Sequence, residues 1–455
     1  MVASTSATAA TDFGRELSPS ERWFWIIDRI SPANCVGRVR IHGELTPEQL
    51  ERATAAVVAE YPLLRMGVVD TGDGHPRVQP VDDPRIPVHH TLSGLPGSWR
   101  QHLDAEMTTP IDVGRGFARL THLIHARGTP EEHHDLLLTL SHIIVDGRSL
   151  MTVLRKIVDY ARRDDGDDGD VPSGSGGRSR PPFAPSDDLI PAAAQGFWRY
   201  VYTTLFDQLA ALALRPKRLH GAAAIVLPER RTRVVYRTVA AEPLAALIRD
   251  CKQAGVTVHG ALAAAVAHTI GITPGSGSTG KGFAGIGSPV DFRSVLEPRP
   301  DTEELGNYAP VLAAFVRFGP RVSLWDAARS ANRQLRQGVR QRRHLATVAG
   351  MRFGTPRTIE SGVRIVEMVD RRAPWNVSVT NLGRIDMPER IGAWRLSDVT
   401  IAATNSCVSA LTVAVVTAHD EMRISFCYVE GVLAAAEAED FADRALDALL
   451  SRPAP

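Results

Sequence analysis

A mixed α/β fold in two halves is what the sequence predicts, and three observations carry that prediction. The 455 residues exceed what one hydrophobic core usually holds. Helical and strand periodicities intermix along the chain. The stretch 164–191 passes through Asp-Gly repeats, then Pro172-Ser173-Gly174-Ser175-Gly176-Gly177, then Pro181-Pro182. Such a composition buries too little apolar surface to offset its ordering entropy and reads as a linker. The expected division is an N-terminal part at 1–165, a flexible linker at 166–191 and a C-terminal part at 192–455, both parts within the usual domain range.

In the first part, 47–61 has Leu50, Ala53, Val57 and Val58 at helical spacing, with Thr46 as N-cap and Pro47 at the first helical position. Short apolar runs at 36–41, 64–69, 119–124 and 136–140 are bounded by Gly, Pro or Asp and suit strands. Helical spacing returns at 150–160, directly after Gly147, through Leu150, Val153, Leu154, Ile157 and Val158. In the second part, helices are expected at 192–214, 243–253, 258–270, 324–340 and 435–450. Strands are expected at 232–239, 285–290, 311–318, 377–380, 411–417 and 422–428. Two mixed halves around a cleft fit this pattern.

Composition narrows the function classes. With 44% hydrophobic and 23% charged residues, the chain is that of a globular protein. Lys plus Arg (52) nearly balances Asp plus Glu (51), so no long-range field favours nucleic acid or an anionic membrane. The Arg-rich stretch 333–343 reads as the solvated face of an amphipathic helix, with a site for an acidic carrier or a nucleotide phosphate as the alternative. Cys35, Cys251, Cys407 and Cys427 are scattered without a Cys-x-x-Cys pair and read as reduced core residues. The small, polar N-terminus lacks a secretory pattern and reads as a disordered tail. No uncharged apolar run approaches the ~20 residues of a bilayer span, so no membrane span and a cytoplasmic location are expected.

The segment His142-Ile143-Ile144-Val145-Asp146-Gly147 places a histidine where a buried apolar strand hands over to a helix. A neutral imidazole titrating near neutral pH can take the proton of a hydroxyl or amine as that group attacks an acyl carbon. It can then return the proton to a departing thiolate. A buried His packed in a core is the bland alternative. Asp146 reads either as the helix N-cap or as the partner of an Arg that holds the loop aiming His142. Gly147 permits close approach of backbone or ligand.

Other patterns carry no chemistry. Gly275 to Gly282 satisfies Gly-x-Gly-x-x-Gly but follows a helix, and Gly282 stands where a phosphate loop needs Ser or Thr. Asp12-Phe13-Gly14 copies a kinase triplet with no kinase context. His89-His90 and His133-His134 are read as surface pairs, because strand neighbours point to opposite faces and no carboxylate or Cys joins them at ligand spacing; no metal is expected. No Gly-x-Ser-x-Gly elbow is present.

With these residues in view, the sequence resembles the condensation-domain and chloramphenicol acetyltransferase-like superfamily, whose signature is His-x-x-x-Asp-Gly. Within it the chain is similar to the polyketide-associated acyltransferases of the phthiocerol dimycocerosyl transferase type. The likeness runs through Leu17-Ser18-Pro19-Ser20-Glu21, Gly43-Glu44-Leu45, Tyr61-Pro62-Leu63-Leu64-Arg65 and the motif at His142. It resumes at Val290-Asp291-Phe292-Arg293, Leu305-Gly306-Asn307-Tyr308 and Thr380-Asn381-Leu382-Gly383. Ser141 stands where many members carry a second His, and the plant-type Asp-Phe-Gly-Trp-Gly segment is missing.

The resemblance implies two chloramphenicol acetyltransferase-like subdomains with a channel between them and His142 as the base at its middle. It implies Arg293 as the Arg paired with Asp146, with Arg65 a second candidate, and Asn307 and Asn381 as channel positions that orient substrate or help bind an oxyanion. No permanently bound cofactor is implied. The donor would be acyl-CoA or a phosphopantetheinyl carrier protein, and the acceptor a small-molecule alcohol of a polyketide or related metabolite. The expected enzyme is an O-acyltransferase working by direct transfer. An amide-forming condensation enzyme and an inactive condensation-like docking scaffold are the alternatives.

Overall fold

The computed structural model describes residues 14–93, 97–163, 184–219, 225–273, 280–405, 407 and 409–451. The N-terminal tail with Asp12 and Phe13, most of the linker and residues 274–279 of the Gly-rich loop lie outside these.

In chain order, the first half runs β1 (Arg15–Glu16), α1 (Pro19–Ile30), β2 (Asn34–His42), α2 (Pro47–Glu60), β3 (Met66–Val69), β4 (Arg77–Pro80), β5 (Val88–Ser93), α3 (Trp99–Thr108), β6 (Ala118–His125), β7 (His133–Ser141) and α4 (Gly147–Ala161). The second half begins with α5 (Phe197–Leu214), β8 (Thr232–Val239), α6 (Ala241–Gln253), α7 (Val258–Ile272), β9 (Gly282–Pro289), β10 (Val311–Phe318) and α8 (Leu324–Arg340). It ends with α9 (Arg343–Gly354), α10 (Ile359–Arg372), β11 (Val377–Arg384), β12 (Arg390–Ile391), β13 (Trp394–Ala403), β14 (Leu411–Ala418), β15 (Glu421–Val429) and α11 (Ala435–Leu450).

Among the described residues, the strands form two six-stranded sheets, ordered β12-β13-β2-β7-β6-β5 and β10-β9-β11-β14-β15-β8, and a small sheet β1-β4-β3. The fold is mixed α/β, as the intermixed periodicities predict. Sheet membership does not follow the linker strictly. Strand β13, from far along the second half, pairs antiparallel with β2 (Leu396 opposite Ile41) and completes the first sheet.

Local signals explain the elements that frame the site. In α2, Thr46 accepts from the Gln49 N–H while the Gln49 side chain reaches back, a capping box that leads into Pro47. In α1, Ser18 and Glu21 do the same. Helix α4 presents Leu150, Val153, Leu154, Ile157 and Val158 to β2 and α2, all fully buried. Each contributes about 1.5–3 kcal/mol, an upper bound because unfolded chains are already partly compact. Helix α7 is apolar all round because it is buried all round.

Two expected elements differ in detail. The strand expected at 64–69 begins as a 3-10 turn at Pro62–Arg65, set by Pro62, and only Met66–Val69 is extended. The helix expected at 192–214 is interrupted by Gly196 at φ 121, a conformation that favours glycine, so a short 3-10 turn precedes α5. All four cysteines are buried.

Candidate active site

Strand β7 ends at Ser141 and α4 starts at Gly147, so the motif loop spans the handover that the sequence predicts. The His142 backbone N–H donates to Ala33 O at 2.8 Å, tying the loop to the start of β2. The imidazole Nδ1 lies 2.7 Å from Val145 O. A carbonyl only accepts, so Nδ1 carries the proton and Nε2 keeps its lone pair. Nε2 has no hydrogen bond to a described residue. Phe24 of α1 stacks on the ring, centroids 4.4 Å apart and planes within 24°. Burial pulls the His142 pKa below the ordinary histidine value, against the contrary pull of Val145 O and Asp146.

Both readings of Asp146 hold at once. Its Oδ1 accepts from the Ser149 N–H at 2.9 Å and so caps α4. The same carboxylate meets Arg293, with Nη1 2.9 Å from Oδ2 and Nη2 3.0 Å from Oδ1. Tyr308 N–H donates to Oδ2 at 3.1 Å. Burial works to raise the Asp146 carboxyl, but Arg293 and the backbone N–H groups outweigh it and hold it below the usual carboxylate range. Arg293, itself buried, lies over the Tyr308 ring at 4.3 Å. Of the two arginines the resemblance offers for this place, Arg293 is the one that reaches Asp146.

The segment 305–308 docks on the loop from the second half. Asp146 N–H donates to Gly306 O at 3.1 Å, and Ser149 Oγ donates to the same carbonyl at 2.9 Å. Asn307 Nδ2 donates to His142 O at 3.2 Å. That amide also lies 3.3 Å from Nδ1, a proton-bearing nitrogen that cannot accept from it. Gly147 is explained by packing between halves: a Cβ there would sit 2.9 Å from Ile401 Cδ1 and 3.1 Å from Leu382. Asn381 lies on β11 beside Leu382, and its Oδ1 accepts from the Gly383 N–H at 2.8 Å, which shapes a turn. Its side chain makes no bond to His142. Sequence reading passed over Phe24, Ser149 and Tyr308. The last sits inside the quoted 305–308 segment, whereas an aromatic residue on an amphipathic helix gives no signal that it will stack on the motif.

Beside Arg293 opens a cavity of about 500 Å³ lined by Arg148, Lys156, Arg299, Arg384, Glu303 and Asp386 among others. Cations predominate there, beside the start of α4.

The remaining histidines correct an expectation. His89 and His90 are exposed, but His134 is buried and His133 half-buried. The faces do alternate, as strand geometry requires, but β6 supplies a partner on each. His122 Nε2 lies 2.8 Å from His134 Nδ1, and His122 Nδ1 lies 2.9 Å from His90 Nδ1. On the other face His133 stacks on His125 at 4.6 Å. Nitrogens of His125 and His133 and an Asp135 oxygen lie within 4.8 Å of one another. Asp135 is already balanced by Arg38 at 2.6 Å and Arg40 at 3.0 Å, which makes this a buried charge network.

Residues 228–434 match the family model of the phthiocerol/phthiodiolone dimycocerosyl transferase C-terminus. Over that stretch, less than half of the chain, it is similar to this family, and its fold is the condensation-domain and chloramphenicol acetyltransferase-like one. Solved structures share this condensation fold over nearly the whole length. Trichothecene 15-O-acetyltransferase from Fusarium sporotrichioides superposes with a TM-score of 0.71 at 13% identity, covering 98% of this chain and 97% of that one. Polyketide synthase associated protein 5 from Mycobacterium tuberculosis gives 0.65 at 16% identity, with 96% and 97% covered. The starter condensation domain of rhizomide synthetase, solved with C8-CoA and Leu-SNAC, gives 0.64 at 16%, with 96% and 94% covered. No curated protein sequence matches the condensation-fold chain.

Proposed function

We propose that this condensation-fold protein is an O-acyltransferase that moves an acyl group from a thioester to the hydroxyl of a polyketide or related metabolite, with His142 as general base. The observation that supports it most is the wiring of one imidazole. Nδ1–H is held by Val145 O, so Nε2 is the basic nitrogen, and burial keeps the ring neutral at physiological pH. In this reading Nε2 takes the acceptor O–H proton as the oxygen attacks the thioester carbonyl. The tetrahedral intermediate then expels the thiolate, which recovers the proton from Nε2–H. Asn307 spends one amide N–H on His142 O and keeps a second for the developing oxyanion. Asp146 and Arg293 hold the loop and touch no reacting atom.

The donor is coenzyme A or a carrier protein's phosphopantetheine, whose phosphate suits the cationic cavity beside Arg293. No resident cofactor enters the scheme. The neighbour solved with C8-CoA supports the choice of a thioester donor. Thiol release from acyl-CoA and acyl-carrier donors, with and without alcohols and amines, tests this against wild type and His142→Ala. Alcohol-dependent release that the substitution abolishes, with an ester detected by mass spectrometry, sustains the reading. An amide product would assign the condensation alternative, and equal activity in both proteins would remove His142 as the base. Silence from both, with pathway output intact in the variant, would assign the docking scaffold.

A further inference from the structure

Helix α5 is built inside out. Thr203 is its one buried residue. The face turned to the protein holds Tyr200, packed on Gly350, and Asp207, paired with Arg343 of α9. The opposite face holds Trp198, Tyr202, Leu205, Leu209 and Leu212, which are 79%, 58%, 54%, 62% and 71% exposed. Their alternating spacing of four and three lines them up as one stripe. At 1.5 Å per residue the stripe runs for about 21 Å from Trp198 to Leu212. Phe197 and Phe353, both half exposed and with ring centroids 5.3 Å apart, widen one end. An apolar surface this continuous marks an interaction site.

Charge identifies the partner. The helix with its flanks, 192–219, has four Lys and Arg against the single carboxylate of Asp207. Helices α8 and α9 with their flanks, 321–358, have nine against the single carboxylate of Asp326. The whole chain has a net charge of only +1, so α5 and the α8–α9 segment that packs on it through α9 carry a marked excess of positive charge. Arg199, Arg215, Arg340, Arg342 and Arg352 are exposed.

We propose that α5 is an interfacial anchor that lies in the headgroup region of an anionic lipid bilayer, with its Trp-Tyr-Leu stripe immersed and the flanking arginines on lipid phosphates. A second copy of the chain would set two strongly basic faces against each other. A protein partner would need about one hydrogen bond per 100–200 Å² of interface, and the side chains of the stripe offer only the Tyr202 hydroxyl and the Trp198 indole N–H. The anchor lies on the membrane and does not cross it, since no single helix among the described residues is long and apolar enough to span one.

Flotation of the full-length protein with vesicles tests this. One set is phosphatidylcholine alone, and the other is phosphatidylcholine with one-third phosphatidylglycerol. Wild type floats with the anionic vesicles and much less with the neutral ones, and high salt weakens the binding. Leu205→Gln/Leu209→Gln/Leu212→Gln lowers partitioning at least about tenfold while the melting temperature stays unchanged, because these side chains are exposed in the folded protein. Brominated lipids quench Trp198, and Trp198→Phe removes that quenching. Failure of wild type to float with anionic vesicles, or equal flotation of the triple variant, would overturn the proposal. So would a wild-type dimer in light scattering that the triple variant dissociates, or binding to an acidic carrier protein lost in that variant while vesicles stay unbound.

Discussion

Strand β7 has a histidine site at each end, and the two ends treat the imidazole in opposite ways. At its start, His134 is locked into a row with His122 and His90, and its Nε2 faces Glu132 at 3.2 Å. Just past its end, His142 has Nδ1 fixed by Val145 O and Nε2 without a hydrogen bond among the described residues. Burial lowers the pKa at both ends. What separates a structural histidine from a candidate base is therefore which nitrogens the fold consumes.

The largest effect that would break this contrast is on turnover. His142→Ala should lower kcat by about 10³-fold with little change in melting temperature, while His122→Asn should leave kcat within a few-fold. Thiol-release kinetics on both variants measure it. A comparable loss in both would erase the distinction.

Next is stability at the loop that aims His142. Asp146→Ala leaves Arg293 buried without its principal partner and should cost about 3–5 kcal/mol in urea unfolding. Arg293→Ala should cost a similar amount, and the double variant less than the two together.

A third effect separates the two ends by pH. Folding lowers the pKa of His122 to about 3 and of His134 to about 4. The unfolded chain therefore binds protons first, and stability falls as pH drops below the ordinary histidine value near 6.5 until the folded values are reached. The slope is about 1.4 kcal/mol per pH unit for each imidazole. Urea midpoints at pH values of roughly 7 and 5 should differ, and less so in His122→Asn. At the other end, the lowered pKa of His142 keeps it basic below pH of about 6.5, so kcat/KM should hold level there and fall only in more acidic buffer. A kcat/KM that fell above that pH would assign the titration to another group.

The smallest effect concerns Asn307, whose amide reaches His142 O at 3.2 Å. Asn307→Ala should lower kcat by about tenfold or less with KM nearly unchanged, a loss confined to the transition state.

The legible parts of the chain had local causes. The capped start of α2, the handover from β7 to α4 and the full extent of α8 follow from N-caps, apolar periodicity and a bounding glycine. Helices α1, α3, α9 and α10 went unread, although Ser18 and Glu21 form a capping box that announces α1. In α9, Arg343 is buried at a position where periodicity calls for an apolar residue, because Asp207 of α5 pairs with it. At the site, the His142 and Asp146 positions were visible as a motif. The grip of Arg293 depends on residues 147 apart in sequence, which only the resemblance supplied. The imidazole row was misread because the pairing of β6 with β7 cannot be seen from His133-His134 alone.

The insertion of β13 beside β2 has a consequence for synthesis. Until residues near 403 leave the ribosome, β2 stands as an open edge, with the N–H and C=O groups that face β13 unpaired. The nascent first half must therefore persist through the translation of most of the second with its sheet incomplete. Truncation before residue 390 would leave a chain prone to pair edge to edge with its copies.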